Sequence, residues 1–344
     1  MICFRSDYSQ GALPEVLDAL IKTNSEHTDG YGLDPHCERA ADLIRDLIDK
    51  PDAHVHMMIG GTSCNVTFIA ASLKPYEAVV SARSGHVYSH ETGAAEATGH
   101  RVITMAARNG KLTPEMIDLA WDEYEDEHTV LPRLVYISQP TEVGTVYSRP
   151  ELEALHEKCA QRDMLLYADG ARLGAALTCR ENDLSIAELA DLCDAFYIGG
   201  TKNGALFGEA LVILRDELND HFRWMIKRQG GMLAKGRLIG AQFEALLEGG
   251  EDSLYYRTAL HTNGMAELLR DGLSNLGVPF FADSQTNQIF PVFSEDAVKE
   301  LEKEFFFYRW APGKDGKIPI RLVTGWGTVK TEVEAFLSAV RALV

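Results

Sequence analysis

The sequence has little positive charge. It carries 33 lysines and arginines against 51 aspartates and glutamates, which gives a formal net charge of −18 over 344 residues. Nucleic acids and anionic membranes both reward a basic surface, so this balance argues against a general binder of either. A local group of lysines and arginines can still hold a small anionic ligand inside a pocket.

Long apolar runs are missing as well. No stretch approaches the roughly 18 to 20 uninterrupted apolar residues of a membrane-spanning helix. The segment Met1–Arg5 lacks the basic start and apolar core of a signal peptide. We therefore expect a cytoplasmic protein that does not associate with a membrane.

Cysteine is sparse and scattered. The sequence has no C-x-x-C pair and no histidine at zinc-ligand spacing, so no metal site is predicted. A reducing compartment is the simplest setting for unpaired thiols. The six cysteines are Cys3, Cys37, Cys64, Cys159, Cys179 and Cys193.

Apolar runs of strand length alternate with helix-period segments from about Asp52 to Leu214. This alternation is typical of an α/β layer on a mostly parallel sheet. The clearest helices are predicted over Thr113–Glu127 and Arg149–Gln161, each behind a start signal that includes a proline. The predicted strands are His54–Ile59, Glu77–Ala82, Arg101–Met105, Leu131–Ser138, Met164–Ala168, Ala195–Ile198 and Ala210–Leu214.

The chain is long enough for one large and one small domain. We predict an N-terminal arm over residues 1–50, helical from Gly11 to Lys50, and a large α/β domain over residues 51–250. Residues 216–249 are predicted to be helical, with a break at Gly230-Gly231. Residues 251–344 predict a smaller α+β domain, with helices Tyr256–Leu276 and Lys330–Leu343 and strands near Ile289–Phe293, Phe305–Tyr308 and Ile318–Val323.

Lys202 is the most informative residue. It lies on a glycine-rich loop, Gly199–Gly204, after a strand-like run, and Asp169 ends the preceding predicted strand. Pyridoxal phosphate needs a lysine amine for its Schiff base and an acid that keeps its ring nitrogen protonated. Lys202 could instead be a solvated loop lysine, and Asp169 could be only a helix N-cap. Because ligands of open α/β sheets collect at the carboxyl edge, the pair predicts a pyridoxal phosphate site.

A second glycine turn, Gly60-Gly61-Thr62-Ser63, follows a strand and opens a helix. The first N–H groups of a helix attract an anion, and glycine lets a ligand approach the backbone. Taken alone the pattern is weak, because glycine followed by serine or threonine is also a common N-cap. Combined with the lysine and the aspartate, it predicts the contact to the cofactor phosphate.

Three further polar side chains follow strand ends. Arg172 could pair with Asp169, or it could hold a carboxylate or ring oxygen with its fork of donors. His86 could be a hydrogen-bonded structural histidine, or it could stack on the cofactor ring and offer a base above it. Glu142 could be a solvated loop acid or an active-site acid. Their convergence on one sheet edge favours the functional alternatives.

These motifs resemble the low-specificity L-threonine aldolases, which are pyridoxal-phosphate enzymes of the aspartate-aminotransferase fold, fold type I. The most specific part of the resemblance is the pair Asp169-Gly170-Ala171-Arg172 and Gly200-Thr201-Lys202-Asn203-Gly204. The other matching segments are Arg5-Ser6-Asp7, Tyr31–Pro35, Gly61-Thr62 with Asn65, His86, Ser138–Thr145 and Ile320–Val323.

The resemblance implies how the cofactor would be held. Lys202 would carry it as a Schiff base, Asp169 would contact the pyridine nitrogen, and His86 would stack over the ring. Gly61 and Thr62 would bind the phosphate. The catalytic set is therefore expected at the carboxyl edge of the sheet.

The resemblance also implies two sets of contacts beyond the ring. The substrate carboxylate would be received by Ser6, Arg172 and Arg321. A neighbouring subunit would supply Arg228 and Lys235 to the phosphate, with Lys227 or Arg237 as alternative equivalents of this basic pair, and Tyr31 would approach the cofactor across the same boundary. We therefore expect a homodimer or homotetramer with shared active sites.

Glu142 departs from the commonest family pattern. Many members have a histidine here, in a motif beginning Glu-Asn-Thr-His, and that histidine is associated with the β-hydroxyl of the substrate. The version in this chain, Gln139-Pro140-Thr141-Glu142, resembles another bacterial branch of the same family. The base for the hydroxyl proton stays open between His86, Glu142 and a bound water.

The predicted reaction is the cleavage of L-threonine, L-allo-threonine and related β-hydroxy-α-amino acids to glycine and an aldehyde. Another β-eliminating lyase or a racemase on the same scaffold is the alternative, because the cofactor does the electronic work in each reaction. A catalytically silent cofactor-binding protein is a third alternative, which the retention of Lys202, Asp169 and both arginines disfavours.

Overall fold

The structure is a computed structural model that describes residues 1–124 and 126–343. Its strands are β1 Ile2–Cys3, β2 His54–Met58, β3 Glu77–Ala82, β4 Val102–Met105, β5 Leu131–Ser138, β6 Leu165–Asp169, β7 Ala195–Gly199, β8 Glu209–Ile213, β9 Gln288–Ile289, β10 Val292–Ser294, β11 Phe305–Phe306, β12 Tyr308–Arg309 and β13 Lys317–Val323. Its helices are α1 Pro14–Thr23, α2 Pro35–Ile48, α3 Gly61–Ser72, α4 His86–Ser89, α5 Pro114–Tyr124, α6 Arg149–Gln161, α7 Leu173–Thr178, α8 Ile186–Leu192, α9 Phe222–Arg228, α10 Arg237–Leu247, α11 Leu254–Asn275, α12 Glu295–Leu301 and α13 Lys330–Arg341.

A central seven-stranded sheet has the strand order β2-β8-β7-β6-β5-β3-β4. The pairs from β7 to β4 are parallel, whereas β8 is antiparallel to both β2 and β7. Every residue of β3, β6, β7 and β8 is buried, as expected for strands covered by helices on both faces. The mostly parallel sheet predicted from the sequence is confirmed.

Local signals explain where the helices begin. Helix α6 spans the predicted residues, and the Ser148 N–H donates to Glu151 Oε2 at 2.8 Å across its first turn. Helix α2 starts behind Asp34, whose Oδ1 accepts from the Cys37 N–H at 2.9 Å. Helix α5 was predicted to reach Glu127, but residues 126 and 127 lie in a bend and a turn. Glu125 lies outside the described residues.

The prediction for residues 216–249 was wrong in part. Helix α9 ends at Arg228 and α10 begins only at Arg237, so the break is a whole connecting segment. Gly230 has a φ of +73°, which favours glycine. A Cβ on Gly231 would lie 2.8 Å from Ser63 Oγ, so the segment passes close to the first turn of α3.

A second, smaller sheet follows α11. Strand β13 pairs antiparallel with β9, β10 and β12. The predicted strand Phe305–Tyr308 is two short strands, and the first of them, β11, pairs in parallel with β1 near the chain start. Phe4 accordingly packs into the apolar core under this sheet, while α1 and α2 pack on α10. The domain boundaries at 50/51 and 250/251 stay predictions.

Among the described residues, none of the helices combines the length and the apolar character that crossing a bilayer requires.

Candidate active site

Two adjoining cavities lie where the loops after the central strands converge, and Tyr8, His86 and Lys202 line both of them. The first, here named the helix-end cavity, has a volume of about 340 Å³ and borders the start of α3. Its other lining residues include Ile59, Gly61, Thr62, Ala171, Tyr197 and Glu209. The second, here named the arginine cleft, has a volume of about 450 Å³. Its other lining residues are His90, Glu142, Arg172, Tyr308, Arg309, Trp310 and Arg321.

Lys202 lies on the turn between β7 and β8. The N–H groups of Gly200 and Thr201 donate to the Gly208 carbonyl at 3.2 and 3.1 Å, which closes the loop. Burial and the nearby Arg172 guanidinium lower the pKa of Lys202 below its ordinary value, although the surrounding carboxylates oppose the shift. A lowered pKa leaves more of the amine neutral and therefore nucleophilic.

Asp169 is buried at the end of β6. Its carboxylate accepts hydrogen bonds from the Tyr136 and Tyr197 hydroxyls, from Asn65 Nδ2 at 3.1 Å and from the Ala171 N–H at 3.0 Å. Burial alone would raise the pKa of Asp169, but the charge of His86 and these hydrogen bonds lower it overall. Asp169 is therefore a buried, ionised acid rather than a simple helix cap.

His86 begins the short helix α4 and is fixed by a buried acid. Its Nδ1 lies 2.8 Å from Glu91 Oε1, and the same oxygen accepts from Asn65 Nδ2 at 2.7 Å. Asn65 thus joins the His86–Glu91 pair to Asp169. Burial lowers the pKa of His86, but Glu91 and the negative charge of Glu142 and Asp169 raise it overall.

Glu209 closes the helix-end cavity behind the lysine loop. Its Oε2 accepts from the Gly200 N–H at 2.7 Å, so it supports the backbone that carries Lys202. Burial raises the pKa of Glu209 to about 7, against an ordinary value of 4.5. The sequence patterns did not single out this residue.

Arg172 is buried and paired with Asp7. Its Nε and Nη2 donate to the two Asp7 oxygens at 2.7 and 3.1 Å, and Asn287 Nδ2 donates to Asp7 Oδ2 at 2.9 Å. The alternative that Arg172 pairs with Asp169 was therefore wrong. Since Asp7 occupies two of its donors, Arg172 reaches the arginine cleft with only part of its fork.

Arg321 has a different environment on β13. Its guanidinium carbon lies 5.2 Å from the Tyr308 ring centroid and 5.1 Å from that of Trp310. Its buried Nε has no hydrogen-bond partner among the described residues. Burial and the charge of Arg172 lower the pKa of Arg321, against the attraction of nearby acids. An arginine whose Nε is buried without a partner is suited to an anionic ligand.

Glu142 is buried at the second position of a turn. The Gly144 N–H donates to the Thr141 carbonyl at 2.8 Å, and Gly144 has a φ of +79°. The two threonine hydroxyls of the turn, on Thr141 and Thr145, lie 2.7 Å apart. Glu142 lines the arginine cleft and is buried, so it is not a solvated loop acid; its role as an active-site acid stays a prediction.

The start of α3 supplies the remaining donors. The first intrahelical bond runs from the Cys64 N–H to the Gly60 carbonyl at 3.1 Å, so the N–H groups before it have no acceptor inside the helix. A Cβ on Gly61 would lie 2.7 Å from the Tyr197 hydroxyl, so a larger residue would crowd the cavity. Thr62 is exposed at this end. The arrangement can take an anionic group.

A protein-family model described as beta-eliminating lyase matches residues 4–296, which is most of the chain. The chain belongs to the beta-eliminating lyase family. The resemblance drawn from the motifs is thereby confirmed.

Individual relatives agree with the family assignment. The chain is 32% identical to a low specificity L-threonine aldolase of Pseudomonas sp. (strain NCIMB 10558), over 99% of this chain and 97% of that protein. A solved structure of Leishmania major threonine aldolase is 43% identical, covers 100% of this chain and 99% of its own, and has a TM-score of 0.98. An aspartate aminotransferase of Thermus thermophilus, 16% identical, covers 100% and 92% with a TM-score of 0.74. This last likeness shows the fold alone, and it confirms the predicted aspartate-aminotransferase fold.

Asp169 lines neither cavity itself, but it accepts from the hydroxyl of Tyr197, which lines the helix-end cavity. Four other predicted site residues of this family member line neither cavity, within the part of the chain that the structure describes: Ser6, Tyr31, Arg228 and Lys235. Ser6 Oγ lies 2.8 Å from Ser9 Oγ. Tyr31 is exposed, with Lys227 Nζ 4.9 Å from its ring centroid. Arg228, the last residue of α9, and Lys235, on the segment that joins α9 to α10, are both exposed. The single chain does not bring these four side chains to its own site.

The patterns missed several residues that the structure places around the site. Tyr8, Tyr308 and Trp310 line the arginine cleft, and Glu91 and Glu209 support His86 and the lysine loop. The two acids have no distinctive spacing in the sequence, because their partners come from elsewhere in the fold. The aromatic run Phe305–Trp310, interrupted only by Arg309, is the one signal that could have suggested a ligand wall.

Proposed function

We propose that this protein cleaves β-hydroxy-α-amino acids, with L-threonine and L-allo-threonine as archetypes, to glycine and an aldehyde. One observation carries the proposal: Lys202 borders both cavities. The phosphate-type donors of α3 lie on one side of it, and a partly unpartnered arginine, Arg321, lies on the other. The name shared by the similar Pseudomonas and Leishmania proteins supports this reaction over elimination or racemisation.

We propose pyridoxal 5′-phosphate as the cofactor of the helix-end cavity. When bound, it supplies the electron sink that accepts the electrons of a breaking bond at Cα. Lys202 offers an amine whose pKa is lowered, the start of α3 with Thr62 offers donors to a phosphate, and Asp169 offers an ionised acid to a ring N–H. His86 and Ala171 both line the cavity and would flank a flat ring.

Asp169 has no vacant lone-pair position in the structure. Its four hydrogen bonds match the roughly four lone-pair sites of a carboxylate. A ring N–H would therefore replace one of the present donors. Tyr197 is the donor that also lines the helix-end cavity, so its hydroxyl is the one placed to yield.

The substrate carboxylate would bind to Arg321 in the arginine cleft. The unpartnered Nε and the stacked guanidinium favour a planar, bidentate anion. Arg172 would contribute a secondary contact, because Asp7 already holds two of its donors. Ser6, which was predicted to share this role, does not line the cleft in the described chain.

Glu142 is the better acceptor for the β-hydroxyl proton. It is a buried acid that lines the same cleft as Arg172 and Arg321. The raised pKa of His86 keeps its imidazole protonated to higher pH, which suits a stacked, proton-donating group more than a base. We assign hydroxyl deprotonation to Glu142 and cofactor stacking to His86.

We propose that the functional unit is a homodimer or homotetramer with shared sites. The single chain leaves the helix-end cavity bordered by exposed side chains, with Tyr8 51% and Ile59 36% exposed. Leu206 and Tyr31 are further exposed apolar or aromatic side chains of the described chain. The exposed basic residues Arg228 and Lys235 lie outside their own site and are available to another chain. The free cysteines fit the cytoplasm, which we propose as the location.

Product analysis tests the proposed reaction directly. The cofactor-loaded protein should release an aldehyde and glycine in equal amounts from a panel of β-hydroxy amino acids that includes both threonine diastereomers. Ammonia with a keto acid would indicate elimination, and inversion at Cα alone would indicate racemisation. Lys202→Ala is the control, since it should lose turnover together with the visible absorbance of the covalently held cofactor.

A further inference from the structure

Residues 284–289, the segment that leads into and includes β9, lie at the junction of the two sheets. Its side chains are largely buried: Ser284 is 5% exposed, Thr286 0%, Asn287 2% and Gln288 0%. Within the described chain the segment lines neither the helix-end cavity nor the arginine cleft. Its polar groups nevertheless contact the parts of the chain that hold Glu142, Arg172 and Arg321, three residues that line the cleft.

The first contact is to the turn that carries Glu142. The Gly144 carbonyl accepts from the Gln285 N–H at 2.9 Å and from Thr286 Oγ1 at 3.1 Å. In return, the Val146 N–H donates to Gln285 Oε1 at 2.9 Å. A Cβ on Gly144 would lie 2.1 Å from Ser284 Oγ, so the turn and the segment have no space between them.

The second contact is to Arg172. Asn287 Nδ2 donates to Asp7 Oδ2 at 2.9 Å, and Asp7 holds the Arg172 fork. The same amide donates to the Thr324 carbonyl at 2.9 Å, which ties Asp7 to the end of β13. Asn287 is therefore the link between the buried Asp7–Arg172 pair and the smaller sheet.

The third contact is to Arg321. Strand β9 pairs with β13 in a register that places Ile289 opposite Leu322 and Gln288 opposite Val323. Arg321 is the next residue of β13. The six-residue segment thus joins, through direct hydrogen bonds, the Glu142 turn, the Asp7–Arg172 pair and the strand that carries Arg321.

We propose that residues 284–289 are a positioning segment that fixes Glu142 relative to Arg172 and Arg321. Thr286 holds the turn that carries Glu142, and Asn287 holds Asp7, the partner of Arg172. The proposal rests on the function proposed above, in which these groups bind and deprotonate one substrate. Reacting groups must be held to within a fraction of an ångström, and a 1 Å misplacement can cost about 10²-fold in rate. No single strand or helix of the described fold carries Glu142, Arg172 and Arg321 together. Their spacing therefore depends on the segment 284–289, which contacts the parts of the chain that hold each of them.

Thr286→Val tests the hold on Glu142, because it keeps the side-chain shape and removes the hydroxyl. We expect kcat for threonine cleavage to fall about tenfold or more, while the dissociation constant of glycine changes less than about twofold. Glycine has no β-hydroxyl, so its binding does not need Glu142. Amide hydrogen exchange in the peptide that contains Gly144 and Val146 should speed up, and Thr286→Ser should restore both properties.

Asn287→Ser tests the second link. It shortens the side chain and removes the amide donor to Asp7, so we expect weaker glycine binding through a displaced Arg172.

Thr262→Val is the matched control for Thr286→Val, because Thr262 is a buried threonine of α11 whose hydroxyl donates to the Thr258 carbonyl at 2.8 Å. It should lose comparable stability without changing kcat or the exchange at Val146.

The outcomes separate the two proposals. The positioning role is overturned if Thr286→Val keeps both wild-type kcat and wild-type exchange at Val146, or if Thr262→Val lowers kcat equally. If the wild-type protein releases no aldehyde from any substrate, the proposed function fails. In that case the exchange at Val146 and the glycine affinity still decide whether the segment holds these groups.

Discussion

Arg321 stacks on Trp310 with its guanidinium carbon 5.1 Å from the ring centroid, and its buried Nε has no partner among the described residues. The aromatic rings orient a planar cation, and the unpartnered edge is left for a ligand. Because Asp7 is already bound to Arg172, the unpartnered edge of Arg321 is suited to a carboxylate that arrives with the substrate.

Arg321→Lys should therefore raise KM for threonine strongly. A lysine keeps the charge but cannot reproduce the bidentate fork or the stacking, and charge-assisted pairs of this kind are worth about 1.5 to 3 kcal/mol, or roughly tenfold to a hundredfold. The measurement is initial-rate kinetics with threonine. Arg309→Lys is the comparison, because the Arg309 fork is already bound to Glu295 and Glu302. An unchanged KM for Arg321→Lys would remove this residue from substrate binding.

Asp169→Asn should lower kcat by about 10² to 10⁴, because it keeps the shape but removes a buried charge that stabilises a protonated ring nitrogen by a few kcal/mol. Tyr197→Phe removes one of the hydrogen bonds to Asp169 while the acid remains, so its effect should be much smaller. Steady-state turnover of both variants at saturating cofactor checks the order. A loss below about twofold for Asp169→Asn would reduce Asp169 to a structural cap.

The positions that sequence patterns could predict are those set by local backbone geometry. Lys202, Asp169, His86 and Gly61-Thr62 follow buried strands, and parallel strands bring their carboxyl ends to one edge. The alternation of apolar runs therefore predicted both the sheet and the edge at which these residues meet. The capping residues likewise predicted α6 with its correct bounds.

The contacts that sequence patterns missed are pairings between distant segments. Asp7 and Arg172 pair although they are 165 residues apart in the sequence. Glu91 reaches His86 only because α4 is a single turn. Periodicity carries no signal for such pairs, since it describes neighbours on one element. The long connection after Arg228 was missed for a similar reason. Its course is set by the close approach of Gly231 to Ser63, not by local propensity.

Glu209 predicts a pH dependence of stability with a definite sign. Burial raises its pKa to about 7 in the folded protein from an ordinary value of 4.5. Below pH 4.5 both states hold the proton, and between these two values the unfolded chain releases it while the native protein keeps it. The contribution of Glu209 to the free energy of unfolding is therefore greatest at low pH. It is lost as the pH rises from 4.5 towards 7, by roughly 3 kcal/mol.

Glu209→Gln should remove this loss, because the amide stays neutral and can still accept from the Gly200 N–H. Urea unfolding of both proteins between pH 5 and 7.5 gives the free energy of unfolding at each pH. The difference, variant minus wild type, should rise with pH. A difference that stays constant across this range would show that Glu209 titrates at its ordinary value in the folded protein.

Arg228 and Lys235 test whether the active site is shared between subunits. Both are exposed and line neither cavity of their own chain, so we expect their substitution to weaken cofactor binding through another chain's site. Arg228→Ala or Lys235→Ala should lower cofactor affinity while Lys202 can still form a Schiff base with the cofactor.

Mixing either variant with Lys202→Ala, by coexpression with two affinity tags, should then restore activity. In a two-fold symmetric dimer each hybrid has one site with intact parts from both chains, so an equimolar random mixture should recover about one quarter of all sites. A hybrid no more active than its parents, or a fully active monomer in solution, would contradict a shared site and leave the basic segment as a solvated surface.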